Sequence, residues 1–184
     1  MKPRIKICCI SSIEEARTAI SFGASALGLV GSMPSGPGVI DDALIYAIAR
    51  TVPPPIGTFL LTSETTAEEI IAHHQCTLTN TIQIVDALQD KAYDKLRAAM
   101  PTIKLVQVIH VLDEASVDEA LRLAEHVDAL DPAQRPNVVD RGVDVGHRAL
   151  RLGPIPVAAP LARAAVAVEV DGPHVIAGGR QRLH

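Results

Sequence analysis

The stretch Lys6-Ile7-Cys8-Cys9-Ile10 closes the first apolar run of the chain and places a thiol just before a helix. Residues 4–10 form a short and mostly apolar segment, in which Lys6 is the one charge after Arg4, and this pattern predicts a buried strand. Ser11-Ser12 and then Glu14-Glu15 supply a cap and an acidic first turn for the helix that follows. In a parallel α/β fold, the ends of strands that lead into helices carry the chemistry.

The overall composition indicates one globular domain over residues 1–184. Apolar residues make up 48% of the chain and charged residues 21%. The net charge of −4 gives no electrostatic basis for nucleic-acid binding, and the apolar runs are too short to cross a membrane. Three cysteines, two of them adjacent, do not make a disulfide framework. We therefore expect a cytoplasmic protein.

Strand patterns and helix patterns alternate along the first 131 residues. After the first strand, five more are predicted, and they lie at residues 25–30, 56–61, 81–85, 104–110 and from 127 onward. Alternation with short connections predicts a parallel sheet. The repeat of about 25 residues favours a TIM-type (β/α)8 barrel, with a doubly wound sheet as the alternative. The Gly-x-Gly-x-x-Gly motif of dinucleotide binding is absent after the first strand.

The composition changes after residue 131. Residues 132–184 contain no Ser, Thr, Lys, Phe, Tyr, Met or Cys, whereas residues 1–131 contain eighteen Ser and Thr. Strands are predicted at 155–159 and 174–177, with a helix between them at 161–168. We therefore expect a barrel. The change in composition leaves two forms open: a complete barrel, or one that is incomplete or distorted after its sixth strand.

Four short motifs in the first part of the chain resemble phosphoribosylanthranilate isomerases of tryptophan biosynthesis. They are Lys6-Ile7-Cys8, the Phe-Gly-Ala-Ser-Ala-Leu-Gly run at 22–28, Ile-Gly-Thr-Phe at 56–59, and Ile82-Gln83. The resemblance covers residues 4–131. It implies an eight-stranded βα barrel that works without a cofactor or a metal ion.

The resemblance also implies a reaction and a set of site residues. The reaction is an Amadori rearrangement, in which the aminoaldose N-(5-phosphoribosyl)anthranilate becomes an aminoketose. Cys8 matches the family's base at the end of the first strand, and Asp131, at the end of the predicted sixth strand, is the best match for the family's acid. The substrate-binding positions are Lys6 and Gln83, together with Gly178 and Gly179, because Ala177-Gly178-Gly179 in the later part of the chain resembles the family's second phosphate-binding segment. The implied partner is a small phosphorylated molecule, bound by a monomer or a homodimer. Apart from the resemblance, Cys8 could be a buried core cysteine, as free cysteines usually are, and Asp131 could be a surface carboxylate at a strand end.

The chain departs from the family pattern in several places. Cys9 stands where the family has Gly, and Ser35-Gly36-Pro37 stands where the family has Ser-Pro-Arg. The Gly-rich phosphate loop expected after the sixth strand is absent from the sequence. Two alternatives therefore stay open: an inactive barrel remnant, or a diverged barrel that binds another phosphorylated small molecule. A further hypothesis is that residues 132–184 are a diverged or out-of-frame tail.

Two smaller expectations concern other cysteine and histidine residues. Alternation along the first strand predicts that Cys9 points to the face opposite Cys8 and serves packing. His73, His74 and Cys76 cluster near a predicted helix end, and we interpret them as a solvated terminus rather than a metal site.

Overall fold

The computed structural model describes residues 4–133 and 169–170, which form one parallel sheet with a helix between successive strands up to the sixth. The strands are β1 Lys6–Ile7, β2 Ala26–Val30, β3 Gly57–Thr62, β4 Thr81–Ile84, β5 Lys104–His110, β6 Ala129–Ala133 and β7 Glu169–Val170. The helices are α1 Ile13–Ser21, α2 Asp42–Thr51, α3 Ala67–Thr77, α4 Asp90–Ala99 and α5 Ala115–Leu123.

The strand order is β6-β5-β4-β3-β2-β1-β7, and every pair is parallel. Consecutive strands are thus neighbours from β1 to β6, as in a βα barrel rather than in a doubly wound sheet, whose order reverses. β7 lies on the free side of β1, with Lys6 opposite Glu169. The elements predicted at 155–159, 161–168 and 174–177 lie outside the described residues.

The first three helices begin at polar caps that the sequence supplies. The hydroxyl of Ser12 accepts the amide hydrogen of Glu15 at 3.1 Å, and a carboxylate oxygen of Asp41 accepts that of Leu44 at 2.7 Å. Thr66 caps α3 in the same way. Each cap satisfies a backbone donor that the helix itself leaves without a partner, which fixes where each helix begins.

The outer face of the sheet packs against the helices. On the β4–β5 side, strand residues such as Ile82 and Leu105 pack with Tyr93 and Leu96 of α4. On the β2–β3 side, Leu27, Leu29 and Leu60 pack with α1 and α2. Burial of this apolar surface provides the main stabilisation of the fold, and it leaves the other face of the sheet for a site.

The inner face of the sheet is strongly curved. A flat sheet would place β1 and β6, five strands apart, at roughly 24 Å from each other. Instead, Lys6 Nζ on β1 lies 3.7 Å from Asp131 Oδ2 on β6. The strands therefore form a curled half-barrel with Lys6 and Asp131 in its interior, and the predicted TIM-type fold is confirmed for the described residues.

β1 is shorter than the strand predicted over residues 4–10. It ends at Ile7 because Cys9 adopts a left-handed backbone conformation, with φ of 59°, that a regular strand cannot contain. Among the described helices, none is long and apolar enough to cross a membrane.

Candidate active site

Alternation along the strands determines which side chains reach the interior of the half-barrel. The register pairs Leu61 with Gln83 and Val108 with Asp131. Side chains two residues apart on a strand share a face. Lys6 and Cys8 therefore enter the same interior as Gln83 and Asp131, although they come from the other end of the described sequence.

Three of the predicted site residues form one buried polar network. Lys6 Nζ donates to Gln83 Oε1 at 2.5 Å, and Gln83 Nε2 donates to Asp131 Oδ2 at 3.1 Å. The side chains of Lys6 and Asp131 are each only 4% exposed. An ion pair removed from water to this degree is stable only when hydrogen bonds also satisfy its partners, and Gln83 provides one to each of them.

The ammonium of Lys6 also lies 5.0 Å from the centre of the Phe59 ring. Phe59 belongs to β3, and its ring face attracts a desolvated cation. Residues on β3, β4 and β6 thus all contact the ammonium group of Lys6.

Cys8 lies immediately after β1, with 3% of its surface exposed. It packs with Val30 and Leu61 at the interior ends of β2 and β3. A Cβ atom at residue 28 would lie 2.5 Å from Cys8 Sγ, so only glycine at position 28 leaves room for the thiol. This close approach explains why the second strand carries a glycine at that point.

Cys9 does not point away from this cluster as strand alternation predicts. Its side chain packs against the same cluster of Cys8, Val30 and Leu61, and its Sγ donates to the Pro37 carbonyl oxygen at 3.6 Å. The predicted direction is wrong because the left-handed backbone at Cys9 breaks the alternation after Cys8, whereas the packing role expected for Cys9 agrees with these contacts.

Asp128 is the other carboxylate near the sixth strand, and the structure separates it from Asp131. It lies before β6, where it contacts Lys104 Nζ at 3.0 Å and Arg97 Nη2 at 2.8 Å. Burial raises the pKa of Asp128, but the Leu105 amide and these two cations outweigh burial and lower it. Asp128 thus belongs to a surface ion-pair group, whereas Asp131 belongs to the interior.

The histidines of α3 are buried and hydrogen-bonded, so the interpretation as a solvated helix end is wrong for them. His74 Nε2 lies 2.8 Å from the Thr79 carbonyl oxygen, and His73 contacts both Thr62 and Asp42. Only Cys76 is exposed. Because Asp42 is 31 residues away from His73 along the chain, no local sequence pattern predicts the contact between them.

The described residues contain no group of three or more side chains placed to hold a metal ion. The predicted positions Gly178 and Gly179 lie outside the described residues. What the described site offers is a thiol, a carboxyl group and a buried cation within one interior. Such groups can carry out proton transfer on a small anionic molecule.

The fold and site together define a βα-barrel protein whose interior brings Lys6 and Cys8 of the first strand region together with Gln83 and Asp131. No family model matches the chain. Curated relatives do: N-(5'-phosphoribosyl)anthranilate isomerase 2 of Methanosarcina mazei is 32% identical over 127 residues, which are 68% of this chain and 56% of that protein. The isomerase of Halobacterium salinarum is 28% identical over 179 residues, 96% of this chain and 75% of the relative.

Solved structures agree with the fold. Phosphoribosylanthranilate isomerase of Thermotoga maritima superimposes with a TM-score of 0.61 at 21% identity, over 73% of this chain and 62% of that one. A phosphoribosylanthranilate isomerase in complex with reduced 1-(o-carboxyphenylamino)-1-deoxyribulose 5-phosphate gives 0.56 at 18% identity, over 71% of this chain and 74% of that one. This chain belongs to the phosphoribosylanthranilate isomerase family, and it spans 56% of the length of its M. mazei relative.

Proposed function

We propose that the chain catalyses the aldose–ketose rearrangement of N-(5-phosphoribosyl)anthranilate in tryptophan biosynthesis, in the cytoplasm and without a cofactor. The observation that carries this proposal is the network of Lys6, Gln83 and Asp131, which shares its interior with Cys8. A reaction of this class needs one group that donates a proton and one that removes a proton, and the interior provides a candidate for each.

Asp131 acts first, as the general acid. Asp131 reacts in its protonated form: its carboxyl group donates a proton to the ribose ring oxygen while the bond from that oxygen to C1 breaks. The anthranilate nitrogen lone pair forms a C1=N bond in the same step. The ion pair with Lys6 is the state of Asp131 before it takes up that proton and after it has given it away. The carboxylate produced is then stabilised by the Lys6 ammonium at 3.7 Å and by the Gln83 amide at 3.1 Å. Partners already in place for a charge that develops during reaction lower its barrier.

Cys8 acts second, as the general base. Its thiolate removes the proton from C2, and the electron pair of that bond forms C1=C2, while the C1=N electrons return to nitrogen. The enolamine then gains a proton at C1 and loses one from the C2 hydroxyl, which gives the aminoketose. The nearby charge of Lys6, two residues away on the same face, favours a thiolate at Cys8.

A solved relative supports the proposed substrate class. The related isomerase structure described above binds a reduced form of the aminoketose phosphate. We propose that this chain binds the same class of phosphorylated molecule. It would do so as a monomer or as a homodimer, and the T. maritima enzyme is described as dimeric. Gly178 and Gly179 remain our proposed contacts for the phosphate, on the sequence resemblance.

The experiment compares binding with turnover in the isosteric variant Asp131→Asn. Calorimetry with the reduced aminoketose phosphate should show binding within about threefold of wild type, whereas turnover should fall by at least about 100-fold. The matched control is Asp128→Asn, which changes the same group in the surface ion pairs and should leave both values near wild type. Unchanged turnover in Asp131→Asn would contradict the assignment of the acid.

A further inference from the structure

We propose that His73 is a positioning residue that holds both ends of the loop over Cys8, the β2–α2 loop of residues 31–41. The inference rests on the proposed function of Cys8 as the base. His73 lies on α3, outside the half-barrel interior, and the described contacts of its ring are with the two ends of this loop and with Thr62 at the end of β3.

The far end of the loop is held at the start of α2. His73 Nε2 lies 3.0 Å from Asp42 Oδ1, and Asp42 is the first residue of α2. His73 Nδ1 lies 3.0 Å from Thr62 Oγ1 at the end of β3. A neutral ring with its hydrogen on Nε2 donates to Asp42 and accepts from Thr62. The hydroxyl of Thr62 in turn accepts the Glu64 amide hydrogen at 3.3 Å.

The near end of the loop is held by contact with the same ring. A Cβ atom at residue 31 would lie 2.4 Å from His73 Cε1 and 2.6 Å from His73 Nε2. The imidazole therefore lies directly on the backbone of Gly31, whose amide hydrogen is donated to the Leu61 carbonyl oxygen at 3.0 Å. No residue with a side chain fits at position 31 while His73 stays in place.

The middle of the loop covers the two cysteines. Met33 packs against the cluster of Cys8, Val30 and Leu61, and the Pro37 carbonyl oxygen accepts from Cys9 Sγ at 3.6 Å. The part of the loop that covers the cysteines ends at Ile40, whose amide hydrogen is donated to the Val30 carbonyl oxygen at 3.0 Å. Because one ring holds both ends, the placement of the loop over Cys8 depends on His73.

Hydrogen exchange of the loop tests the proposal without any need for turnover. In His73→Ala, backbone amides of residues 31–41 should exchange at least about tenfold faster than in wild type, relative to the amides of β4. His73→Gln, which keeps a side-chain N–H donor for Asp42, should stay near wild type. Gly31→Ala is a second route to the same faster exchange, because the new methyl group displaces the ring.

The matched control is His74→Ala. His74 is buried on the same helix, but its ring contacts the Thr79 carbonyl oxygen. Its loss should therefore not increase the hydrogen exchange rate of the loop amides relative to those of β4. The proposal would be overturned if the backbone amides of the loop exchanged at the wild-type rate in both His73→Ala and Gly31→Ala. An equal acceleration in His74→Ala would also overturn it.

The catalytic readout is kept separate. If the wild-type chain turns over substrate, His73→Ala should lower kcat/KM by at least about tenfold and His73→Gln should restore most of it. Faster loop exchange with no turnover in wild type would count against the proposed function and leave the role of His73 in the loop intact. A wild-type kcat/KM in His73→Ala would overturn that role in catalysis.

Discussion

Cys9 stores backbone strain next to the proposed base. Its φ of 59° lies in the left-handed region, which costs a residue with a side chain about 1–2 kcal/mol and costs glycine little. The related family has glycine at this position. Cysteine in place of glycine at residue 9 therefore raises the conformational free energy of the backbone directly after Cys8.

This strain predicts an unusual order of stability between two variants. Cys9→Gly should be more stable to urea than Cys9→Ala by about 1 kcal/mol, because both lose the thiol but only glycine relieves the backbone. In a regular strand or helix the order would be reversed. A Cys9→Ala chain that equals or exceeds Cys9→Gly in free energy of unfolding would contradict the left-handed conformation.

The ion pair of Lys6 and Asp131 predicts strong coupling. Lys6→Met should lower the free energy of unfolding by about 3–5 kcal/mol, since it leaves a buried carboxylate without its cation. Adding Asp131→Asn should recover at least about 1 kcal/mol of that loss. Urea unfolding of the two single variants and the double variant measures the coupling.

The control for this cycle is Lys104→Met, which removes an exposed cation from Asp128 and should cost about 0–1 kcal/mol. Additive losses in Lys6→Met and Asp131→Asn would show that the two groups do not interact in the folded chain.

The sequence predicts the residues of this site better than it predicts their contacts. Lys6 and Gln83 come from short family-like motifs and Asp131 from its position at the predicted sixth strand, but Gln83 and Asp131 are 48 residues apart and meet only through the curvature of the sheet. His73 has no such motif. Its partners lie 11 and 31 residues away, so only the packing of α2, α3 and β3 reveals its role.

At the scale of elements, the best predictions are those with strong local signals. β5 is found at its predicted bounds, 104–110, because Pro101 separates it from the helix that precedes it. β1 is the failure, because an apolar run carries no sign of a positive φ at Cys9. α3 runs on to Thr77, past the predicted end near His74, and stops where Leu78 turns left-handed.

α4 and β5 are joined by a buried hydrogen bond. Tyr93 is fully buried, and its hydroxyl donates to Gln107 Oε1 at 2.7 Å. Gln107 Nε2 donates in turn to the Asp86 and Val108 carbonyl oxygens. Burial raises the pKa of Tyr93 to about 12, because a phenolate would lose its hydration there.

Tyr93→Phe should lower the free energy of unfolding by about 1–3 kcal/mol at neutral pH, since a buried acceptor on Gln107 loses its donor. The pH dependence follows from the raised pKa. The contribution of Tyr93 is complete below pH 10, where the unfolded residue is protonated, and it is lost as the pH rises toward 12. Urea unfolding between pH 8 and 11 should show a smaller decline in Tyr93→Phe than in wild type.

Tyr46→Phe is the control for that experiment, because in the described part of the chain the Tyr46 hydroxyl accepts one hydrogen bond, from Arg50 at an exposed position. An identical decline in wild type and Tyr93→Phe would contradict the buried position of the phenol.

At the scale of the whole molecule, the parallel order from β1 to β6 follows from the alternation of strands and helices. The curl of the sheet does not, since it depends on strand tilt and on side chains packed across the interior. The composition change after residue 131 is visible in the sequence alone, and our hypothesis of an out-of-frame tail over residues 132–184 predicts a one-base difference in the gene of an independent isolate. The same residues encoded in one intact frame there would contradict it.

The most direct test of the central claim is turnover of freshly generated N-(5-phosphoribosyl)anthranilate by the purified chain and by Cys8→Ser. The control is Cys76→Ser, which changes an exposed cysteine of α3. We predict turnover in wild type and Cys76→Ser, and a loss of at least about 100-fold in Cys8→Ser. A folded wild-type chain without turnover, or a Cys8→Ser chain as active as wild type, would contradict the account.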